Sequence, residues 1–378
     1  MWLSDEQRAV RDAVRAYVQA EIAPHAAAWD RDHTFPRDAL HGLAKLGCLG
    51  VAVPTSWDGA GLDYLSLALI IEEIAAGDGA TSTIVSVNNC PVCSILLSWG
   101  TDAQKEAWLR PLARGDMIGA FCLTEPQAGS QADGLRTRAA RDGDAYVLDG
   151  TKQFITSGKN GDLAIVLAVT DPALGKSGIS AFLVPTSAPG YTVSRLEDKL
   201  GQHASDTAQV VLDGCRVPAS SLLGAEGQGL KIALSGLEGG RIGIGAQAVG
   251  MARAALEAAL VHARERVTFG KPIFEHQAVQ FRLSEMATQV EAARQLLHHA
   301  ASLRDAGRPC VKEAAMAKLF ASEMAERVCS DALQIHGGYG YVRDYPVERI
   351  YRDVRVCQIY EGTSDVQKIL IARALKSC

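Results

Sequence analysis

The run Leu163-Ala-Ile-Val-Leu-Ala-Val169 is short and rich in residues that favour β-structure, so it predicts a β-strand. Further short apolar runs lie on either side of it, at 118–123, 146–148, 179–184 and 209–212. Turn-forming pairs separate these runs, namely Asp142-Gly143, Asp149-Gly150, Asn160-Gly161, Pro189-Gly190 and Asp213-Gly214. Short strands at this spacing predict a small β-barrel or sandwich.

Helical patterns lie on both sides of these strands. Ser4-Asp-Glu-Gln7 is a capping box that opens a helix over 8–20, and two more helices are predicted over 64–76 and 81–99. After the strands, apolar residues recur at i, i+3 and i+4, which is typical of a helical bundle, over 246–264, 277–305 and 311–335. Ser364-Asp-Val-Gln367 resembles a second capping box and predicts a last helix over 365–375.

The order of helices, strands and helices predicts an α+β fold rather than the strand–helix alternation of a doubly wound sheet. We expect an N-terminal helical domain over 1–117, a central β domain over 118–220 and a C-terminal helical domain over 221–378.

Composition excludes several classes of protein. The chain has 378 residues, of which 48% are hydrophobic, so it is not largely disordered. Its 38 basic and 43 acidic residues give a net charge of −5, which argues against a nucleic-acid partner. The sequence predicts neither a membrane span nor a signal peptide, and therefore a cytoplasmic protein.

Several common motifs carry little weight. The cysteines number nine, which argues against a disulfide framework, and Cys90-Pro-Val-Cys93 is interpreted as a pair of small buried side chains. Gly243-Ile-Gly-Ala-Gln-Ala248 fits a dinucleotide fingerprint but follows no strand, so it indicates close helix packing. Neighbouring His298 and His299 point about 100° apart on a helix, and no metal site is predicted.

Three polar, glycine-rich segments remain: Phe121-Cys-Leu-Thr-Glu-Pro-Gln-Ala-Gly-Ser130, Gln334-Ile-His-Gly-Gly-Tyr-Gly340 and Ile359-Tyr-Glu-Gly-Thr-Ser-Asp365. Taken singly, each has an ordinary structural explanation, such as a strand exit or a helix cap. In this order, the three resemble the acyl-CoA dehydrogenase family, and most closely its short-chain and short/branched-chain members. Shorter segments match as well, at 152–156, 237–243, 265–270 and 276–277.

The resemblance implies an N-terminal helical domain, a central β domain and a C-terminal four-helix bundle. It also implies an FAD enzyme that oxidises the Cα–Cβ bond of an acyl-CoA to the trans-2-enoyl-CoA. Glu361 matches the family's base, which takes the Cα proton while flavin N5 accepts the Cβ hydride. Electrons would pass to an electron-transferring flavoprotein in fatty acid β-oxidation or branched-chain amino acid degradation.

The resemblance further implies a set of cofactor contacts: Phe121, Cys122, Leu123, Thr124, Ser130, Phe154, Ile155, Thr156, Arg266, Thr268, His276, Gln277, Gln334, Ile335, His336, Gly337, Gly338, Thr363, Ser364 and Asp365. The implied substrate contacts are Ser130, Glu238, Arg241 and Gly362. Some FAD contacts would come from a neighbouring subunit, so a homo-oligomer is expected, with a tetramer built as a dimer of dimers as the family norm. Phe154 and Gln127 depart from the commoner Trp and Gly.

Alternatives within the same fold stay open. The enzyme could act on an acyl carrier protein thioester or a specialised acyl-CoA, or it could be an oxidase that uses O2. A more remote alternative is a nucleic-acid-associated relative of the alkylation-response branch, whose members carry a basic C-terminal extension. The net charge of −5 argues against this last possibility.

Overall fold

The structure is a computed structural model that describes residues 2–376. Met1, Ser377 and Cys378 lie outside the described residues. The predicted domain limits at residues 1 and 378, and the cysteine at position 378, therefore lie outside the described residues.

The N-terminal block is helical, as expected. Ser4 and Gln7 form the predicted capping box. The helices are α1 Asp5–Tyr17, α2 Ala26–Asp32, α3 Arg37–Lys45, α4 Tyr64–Gly77, α5 Gly79–Val87, α6 Ser94–Trp99, α7 Asp102–Gln104 and α8 Arg110–Arg114, with π-helical turns at Val18–Ile22, Asn88–Cys93 and Lys105–Leu109.

The prediction of a single helix over 81–99 is wrong, because the helix is interrupted between α5 and α6. Cys90 has extended backbone angles (φ −140°, ψ 116°), and the proline that follows it has no N–H to donate to a helical ladder. Cys90 and Cys93 are both buried, as predicted.

The central block is an eight-stranded mixed sheet ordered β6-β7-β3-β2-β4-β5-β8, with β1 paired in parallel to β4. The strands are β1 Gly119–Cys122, β2 Arg138–Asp142, β3 Ala145–Thr156, β4 Leu163–Val169, β5 Ile179–Pro185, β6 Tyr191–Leu196, β7 Thr207–Pro218 and β8 Leu222–Leu223. Strands β2, β6 and β8 were not predicted.

Strand β4 is buried on both faces, which explains its continuously apolar sequence. Leu163, Ile165 and Leu167 join a core with the N-terminal helices. Ala164 and Val166, on the opposite face, pack with side chains of β3 and β7. The predicted strand-rich central block is therefore confirmed, and its strands form one mixed sheet.

Two of the predicted turns are wrong. Asp149-Gly150 and Asp213-Gly214 face each other inside β3 and β7, where the strand register shifts. The N–H of Gly214 donates to Asp149 Oδ1 over 2.7 Å, so a bulge rather than a turn satisfies these polar groups. Both strands are consequently longer than predicted.

The C-terminal block contains α9 Gly229–Glu265, α10 Gln277–Asp305, α11 Val311–His336, α12 Val347–Val354 and α13 Ser364–Leu375, with a short hairpin of β9 Val267–Thr268 and β10 Lys271–Pro272. Helix α9 begins well before the predicted residue 246. Helix α4 packs against α9, so the two helical blocks share one hydrophobic core. The Gly243–Ala248 fingerprint lies within α9, which confirms its interpretation as helix packing.

Two segments, Gly79–Trp99 and Gly229–Glu265, are long and apolar enough by composition to cross a membrane. In the folded chain, 83% and 67% of their most apolar windows are buried. Their apolar surface is therefore largely covered by the protein itself, as expected of core helices.

The contact between α4 and α9 supplies a stability prediction. A Cβ atom at Gly250 would lie 2.3 Å from the Glu72 carbonyl oxygen, so we expect Gly250→Ala to destabilise the protein by about 1–3 kcal/mol although alanine favours helix. Urea denaturation measures this change. Gly245→Ala is the matched control, because its Cβ would meet only the end of the Leu297 side chain, at 3.0 Å, and should cost little. Equal losses in both variants would contradict the prediction.

Candidate active site

The turn between α12 and α13 carries the predicted base. Glu361 and Gly362 both have left-handed backbone angles, with φ 54° and 90°. Lys318 Nζ donates to the Gly362 carbonyl over 2.7 Å, and Gln367 Nε2 donates to the same oxygen over 2.8 Å and to the Glu361 carbonyl over 3.1 Å. Three hydrogen bonds therefore fix a backbone conformation that a glutamate rarely adopts.

The carboxylate of Glu361 points at helix α9, where a glycine makes room for it. A Cβ atom at Gly240 would lie 2.5 Å from Glu361 Oε2. This oxygen is buried and has no hydrogen-bond partner within the described chain. Burial raises the pKa of Glu361 to about 7, although the nearby charges of Arg241 and Lys318 oppose the rise.

The backbone N–H of Glu361 is also available. Among residues 2–376, no group accepts a hydrogen bond from it, because both carbonyls of the turn face Lys318 and Gln367 instead. A carboxylate with a raised pKa and a free N–H donor on the same residue can serve a reaction that removes a proton next to a carbonyl group.

The second predicted capping box is wrong. Thr363, not Ser364, caps α13 by accepting from the Val366 N–H, and the amide of Gln367 serves the Glu361 turn instead. Ser364 Oγ is buried with no hydrogen-bond partner in the part of the chain that the structure describes. Asp365 is exposed in the first turn of the helix.

A cavity of about 100 Å³ lies between the N-terminal helices and helix α9. It is lined by Ala52, Val53, Tyr64, Leu67, Asn89, Cys90, Ser94, Leu97, Ser98, Ser235 and Arg304. Cys90 and Tyr64 border Gly239, which adjoins Gly240 on α9. The cavity therefore shares a wall with the pocket of Glu361.

Glu238, a predicted substrate contact, is held at this wall. Its Oε1 accepts from Cys310 Sγ over 2.9 Å and lies 3.5 Å from Arg304 Nη1, and Arg304 stacks on the Tyr64 ring at 4.2 Å. Arg241, in contrast, is buried on the Glu361 side of the helix.

The segment Asn88–Cys93 connects this pocket to the sheet. Asn88 Oδ1 accepts from the Gly119 N–H over 2.9 Å at the start of β1, while Cys90 packs on α9. The segment thus contacts the start of β1 on one side and helix α9, next to Gly240, on the other.

A buried ion pair shapes the loop after β1. Lys152 Nζ lies 2.7 Å from Glu125 Oε1, and the Glu125 carboxylate also accepts from the N–H groups of Arg136 and Thr137. Burial alone would raise the pKa of Glu125, but these partners lower it to about 2. Gln127 adds a further hydrogen bond to Glu125 at 2.7 Å, so this departure from the family pattern fits the loop.

The predicted flavin contacts fall into two groups, those with accessible side chains and those with buried side chains. Phe154 is 62% exposed at a positive φ of 58°, and Phe121, Leu123, Thr124 and Thr156 are partly buried. The side chains of Cys122 and Ile155 lie in the sheet core, so only their backbone atoms can contact a ligand. Ser130 is exposed in the loop after β1.

The remaining predicted cofactor residues lie at the other end of α9. Arg266 follows the helix and stacks on Tyr339, and Thr268 Oγ1 lies 3.2 Å from His276 Nε2. Gln277, Gln334, Gly337 and Gly338 are exposed. The side chains of Ile335 and His336 are buried, and the His336 ring stacks on His262 at 4.3 Å, so these two offer mainly backbone atoms.

The two groups of predicted residues are far apart within one chain. Gly240, beside Glu361, and Glu265, at the end of α9, are separated by about 38 Å at 1.5 Å per residue. One FAD molecule is shorter than this separation. A single copy of the chain therefore does not bring all the predicted cofactor residues together.

Three family models match the chain in succession: the acyl-CoA dehydrogenase N-terminal domain over residues 4–116, the middle domain over 120–215 and the C-terminal domain over 227–376. The chain belongs to the acyl-CoA dehydrogenase family. It is thus an oxidoreductase that acts on acyl-CoA, and the resemblance inferred from its motifs is confirmed.

Relatives of this acyl-CoA dehydrogenase match over nearly their whole length. An acyl-CoA dehydrogenase of Bacillus subtilis (strain 168) is 46% identical, covering 99% of both chains. The mitochondrial short-chain specific acyl-CoA dehydrogenase of Homo sapiens is 45% identical over 98% of this chain and 90% of that protein. The solved butyryl-CoA dehydrogenase from Megasphaera elsdenii has a TM-score of 0.96 at 40% identity and covers 100% and 99% of the two chains.

Two other solved chains bear on cofactor and partner. A glutaryl-CoA dehydrogenase from Mycobacterium smegmatis in complex with FADH2 is 34% identical, with a TM-score of 0.94 and coverage of 100% of this chain and 96% of that chain. A chain in a structure described as the electron transferring flavoprotein of Acidaminococcus fermentans is 43% identical, with a TM-score of 0.97 and coverage of 99% of both chains.

Sequence reasoning missed Lys318, Gln367 and the Glu125–Lys152 pair. A lysine within the apolar pattern of a long helix was the available signal for Lys318, since a buried ammonium needs a partner. The partner itself is a backbone carbonyl distant in sequence, which no residue pattern reveals.

The raised pKa of Glu361 predicts a pH-dependent stability difference. Between pH 4.5 and about 7, the folded protein holds a proton on Glu361 that the unfolded chain releases, so this residue costs more stability as the pH rises. We expect Glu361→Gln to be more stable than the wild type at pH 8 and nearly equal to it at pH 4.5. Urea denaturation of both proteins at the two pH values measures this. A stability difference that does not vary with pH would contradict the prediction.

Proposed function

We propose that the protein dehydrogenates a short-chain or short branched-chain acyl-CoA to the trans-2-enoyl-CoA, with Glu361 as the base. The observation that carries the proposal is the buried, unpartnered carboxylate oxygen of Glu361, which lies on the same residue as a free backbone N–H. The high identity to a short-chain specific enzyme supports the substrate class.

Glu361 meets the chemical demands of this reaction. The Cα–H of a thioester is a weak acid, so its removal requires both a base and a donor to the carbonyl oxygen where negative charge develops. A carboxyl group with a pKa of about 7 is partly ionised near neutral pH and a stronger base than an ordinary glutamate. The N–H of Glu361 would donate to the thioester oxygen.

The residues present fit FAD, which when bound supplies the acceptor for the Cβ hydride. Phe121 to Thr124 and Phe154 to Thr156 would hold the ring, with Cys122 and Ile155 contributing backbone atoms. The unpartnered Ser364 hydroxyl at the capped N-terminus of α13, with Thr363 and Asp365, would hold phosphate groups. Gly337 and Gly338 are exposed and have open space beside their Cα atoms, so their backbone would be accessible to the cofactor.

The cavity beside Cys90 supports a short acyl group. Its volume is about 100 Å³. Tyr64 and Arg304 line this cavity and are stacked on each other, so this part of its wall is held by a cation–π contact.

The separation along α9 supports a site shared between two copies of the chain. Glu361 and the ring contacts would come from one copy, and Arg266, Thr268, His276, Gln277 and the segment 334–338 from the other. We further propose a homotetramer, an electron-transferring flavoprotein as electron acceptor and a cytoplasmic location. Similarity to the flavoprotein-associated chain supports the acceptor.

Anaerobic titration with acyl-CoA tests the reaction. We expect butyryl-, isobutyryl- or 2-methylbutyryl-CoA to bleach the visible flavin spectrum and octanoyl-CoA to bleach it weakly, because the cavity is small. Glu361→Gln should keep bound FAD yet lose bleaching by at least about a thousandfold, since the base is removed.

Glu361→Asp is the matched control for charge, and we expect it to retain part of the activity. A fully active Glu361→Gln would refute the assignment of the base. Peroxide formation in air would identify an oxidase, and bleaching only by a protein-bound thioester would identify a carrier-protein substrate.

Mixed oligomers test the shared site. Arg266→Glu should lose FAD because it reverses an exposed positive charge at the predicted ADP contact, whereas Glu361→Gln should bind FAD without turnover. Unfolding and refolding the two variants together should restore activity, since one of the two sites in a mixed dimer is then wild type. Each variant refolded alone is the control. Mixed oligomers without activity would argue for a site built within one chain.

A further inference from the structure

A fully buried lysine supports the turn that carries the predicted base. Lys318 is 0% exposed in the middle of α11, and its ammonium reaches the Gly362 carbonyl. Burial lowers its pKa to about 8, although Glu361 and Cys357 oppose this shift. An uncompensated buried ammonium is costly, so an apolar residue would suit this helix face better if packing alone mattered.

The hydrogen bonds of Lys318 and Gln367 hold the turn from one side. Both donate to the Gly362 carbonyl, and only Gln367 also reaches the Glu361 carbonyl. A left-handed glutamate backbone is strained and persists only where its surroundings impose it. With both carbonyls directed towards these donors, the N–H of Glu361 stays free for a ligand.

The positive charge of Lys318 also lowers the pKa of the Glu361 carboxyl group. Helix α9 contributes a second cation, Arg241, and the segment before α6 contributes the neutral thiol of Cys90. The thiol of Cys357, in the turn after α12, faces the lysine itself. Lys318 is therefore one of two cations that favour the ionised form of Glu361.

We propose that Lys318 is a positioning residue for proton abstraction: it holds the Gly362 carbonyl so that the carboxylate and the N–H of Glu361 face the substrate together, and its charge favours the ionised carboxylate. This inference rests on the proposed function of Glu361. It assigns to Lys318 no contact with substrate or cofactor.

Two substitutions separate hydrogen bonding from charge. Lys318→Gln keeps a hydrogen-bond donor but removes the charge. We therefore expect the rate of flavin bleaching by butyryl-CoA to fall at low pH, while the maximal rate at high pH stays near that of the wild type. At pH values below the pKa of Glu361, each increase of one unit in that pKa lowers the bleaching rate about tenfold. Lys318→Met removes both properties and should also lower the plateau by about tenfold or more, because the turn is released.

Lys318→Arg restores the charge and should restore the low-pH limb of the profile. Lys312→Met is the control, because Lys312 lies at the start of the same helix and pairs with Glu313 instead of the Glu361 segment. This variant should keep the wild-type dependence of the bleaching rate on pH. Bound FAD and the melting temperature report folding in each variant. If Lys318→Met fails to fold, the pH profile of Lys318→Gln still decides the role of the charge.

The outcomes separate the two proposals. If the wild-type holoenzyme is bleached by none of the acyl-CoA substrates, the proposed function fails. If the wild type is bleached and Lys318→Gln keeps its pH profile, only the role of Lys318 is overturned. A uniform loss of rate at every pH, with no shift of the low-pH limb, would mean that the lysine is merely structural and would overturn the proposal as well.

Discussion

The left-handed turn of Glu361 and Gly362 is the constraint on which the rest of the site depends. Its dihedral angles turn both carbonyls towards Lys318 and Gln367 and leave the N–H of Glu361 unpaired. The strain is tolerated because three hydrogen bonds from regular helices hold it. The carboxylate proposed as the base and an unpaired N–H donor are thus found on one residue.

Helix α9 makes that geometry possible. Glycines recur along it where other segments approach: Gly239 faces Cys90, Gly240 faces Glu361, and Gly250 faces the backbone of α4. At each of these positions a Cβ atom would lie within 3 Å of a neighbour. Helix α9 therefore makes room for the Glu361 turn and the segments around it, at the cost of the lower helix propensity of glycine.

The sequence sufficed for the order of the blocks, for the buried strand β4 and for most of the long helices, because these follow from apolar periodicity. Prediction from the sequence failed where the hydrogen-bond partner of a polar group lies far away in the sequence or outside a common motif. Asp149-Gly150 has the composition of a turn, yet Gly214 from β7 bonds to it and keeps the strand continuous. Gln367 has the spacing of a capping box, yet the carbonyl of Glu361 takes its amide. Glu361 itself was found only through the order of several motifs, while its environment came from the fold.

Two buried lysines follow the same physical logic at opposite ends of the site. Lys152 extends from β3 to the Leu123 carbonyl and the Glu125 carboxylate, and Lys318 extends from α11 to the Gly362 carbonyl. In each case a long side chain on a regular element orders an irregular loop that carries predicted ligand contacts. A charged donor makes a stronger hydrogen bond than a neutral one, and this strength increases where water is excluded. Lys152 is neutralised by a full ion pair, whereas Lys318 faces a carboxyl group whose own pKa is near neutral, so its charge remains available to influence the base.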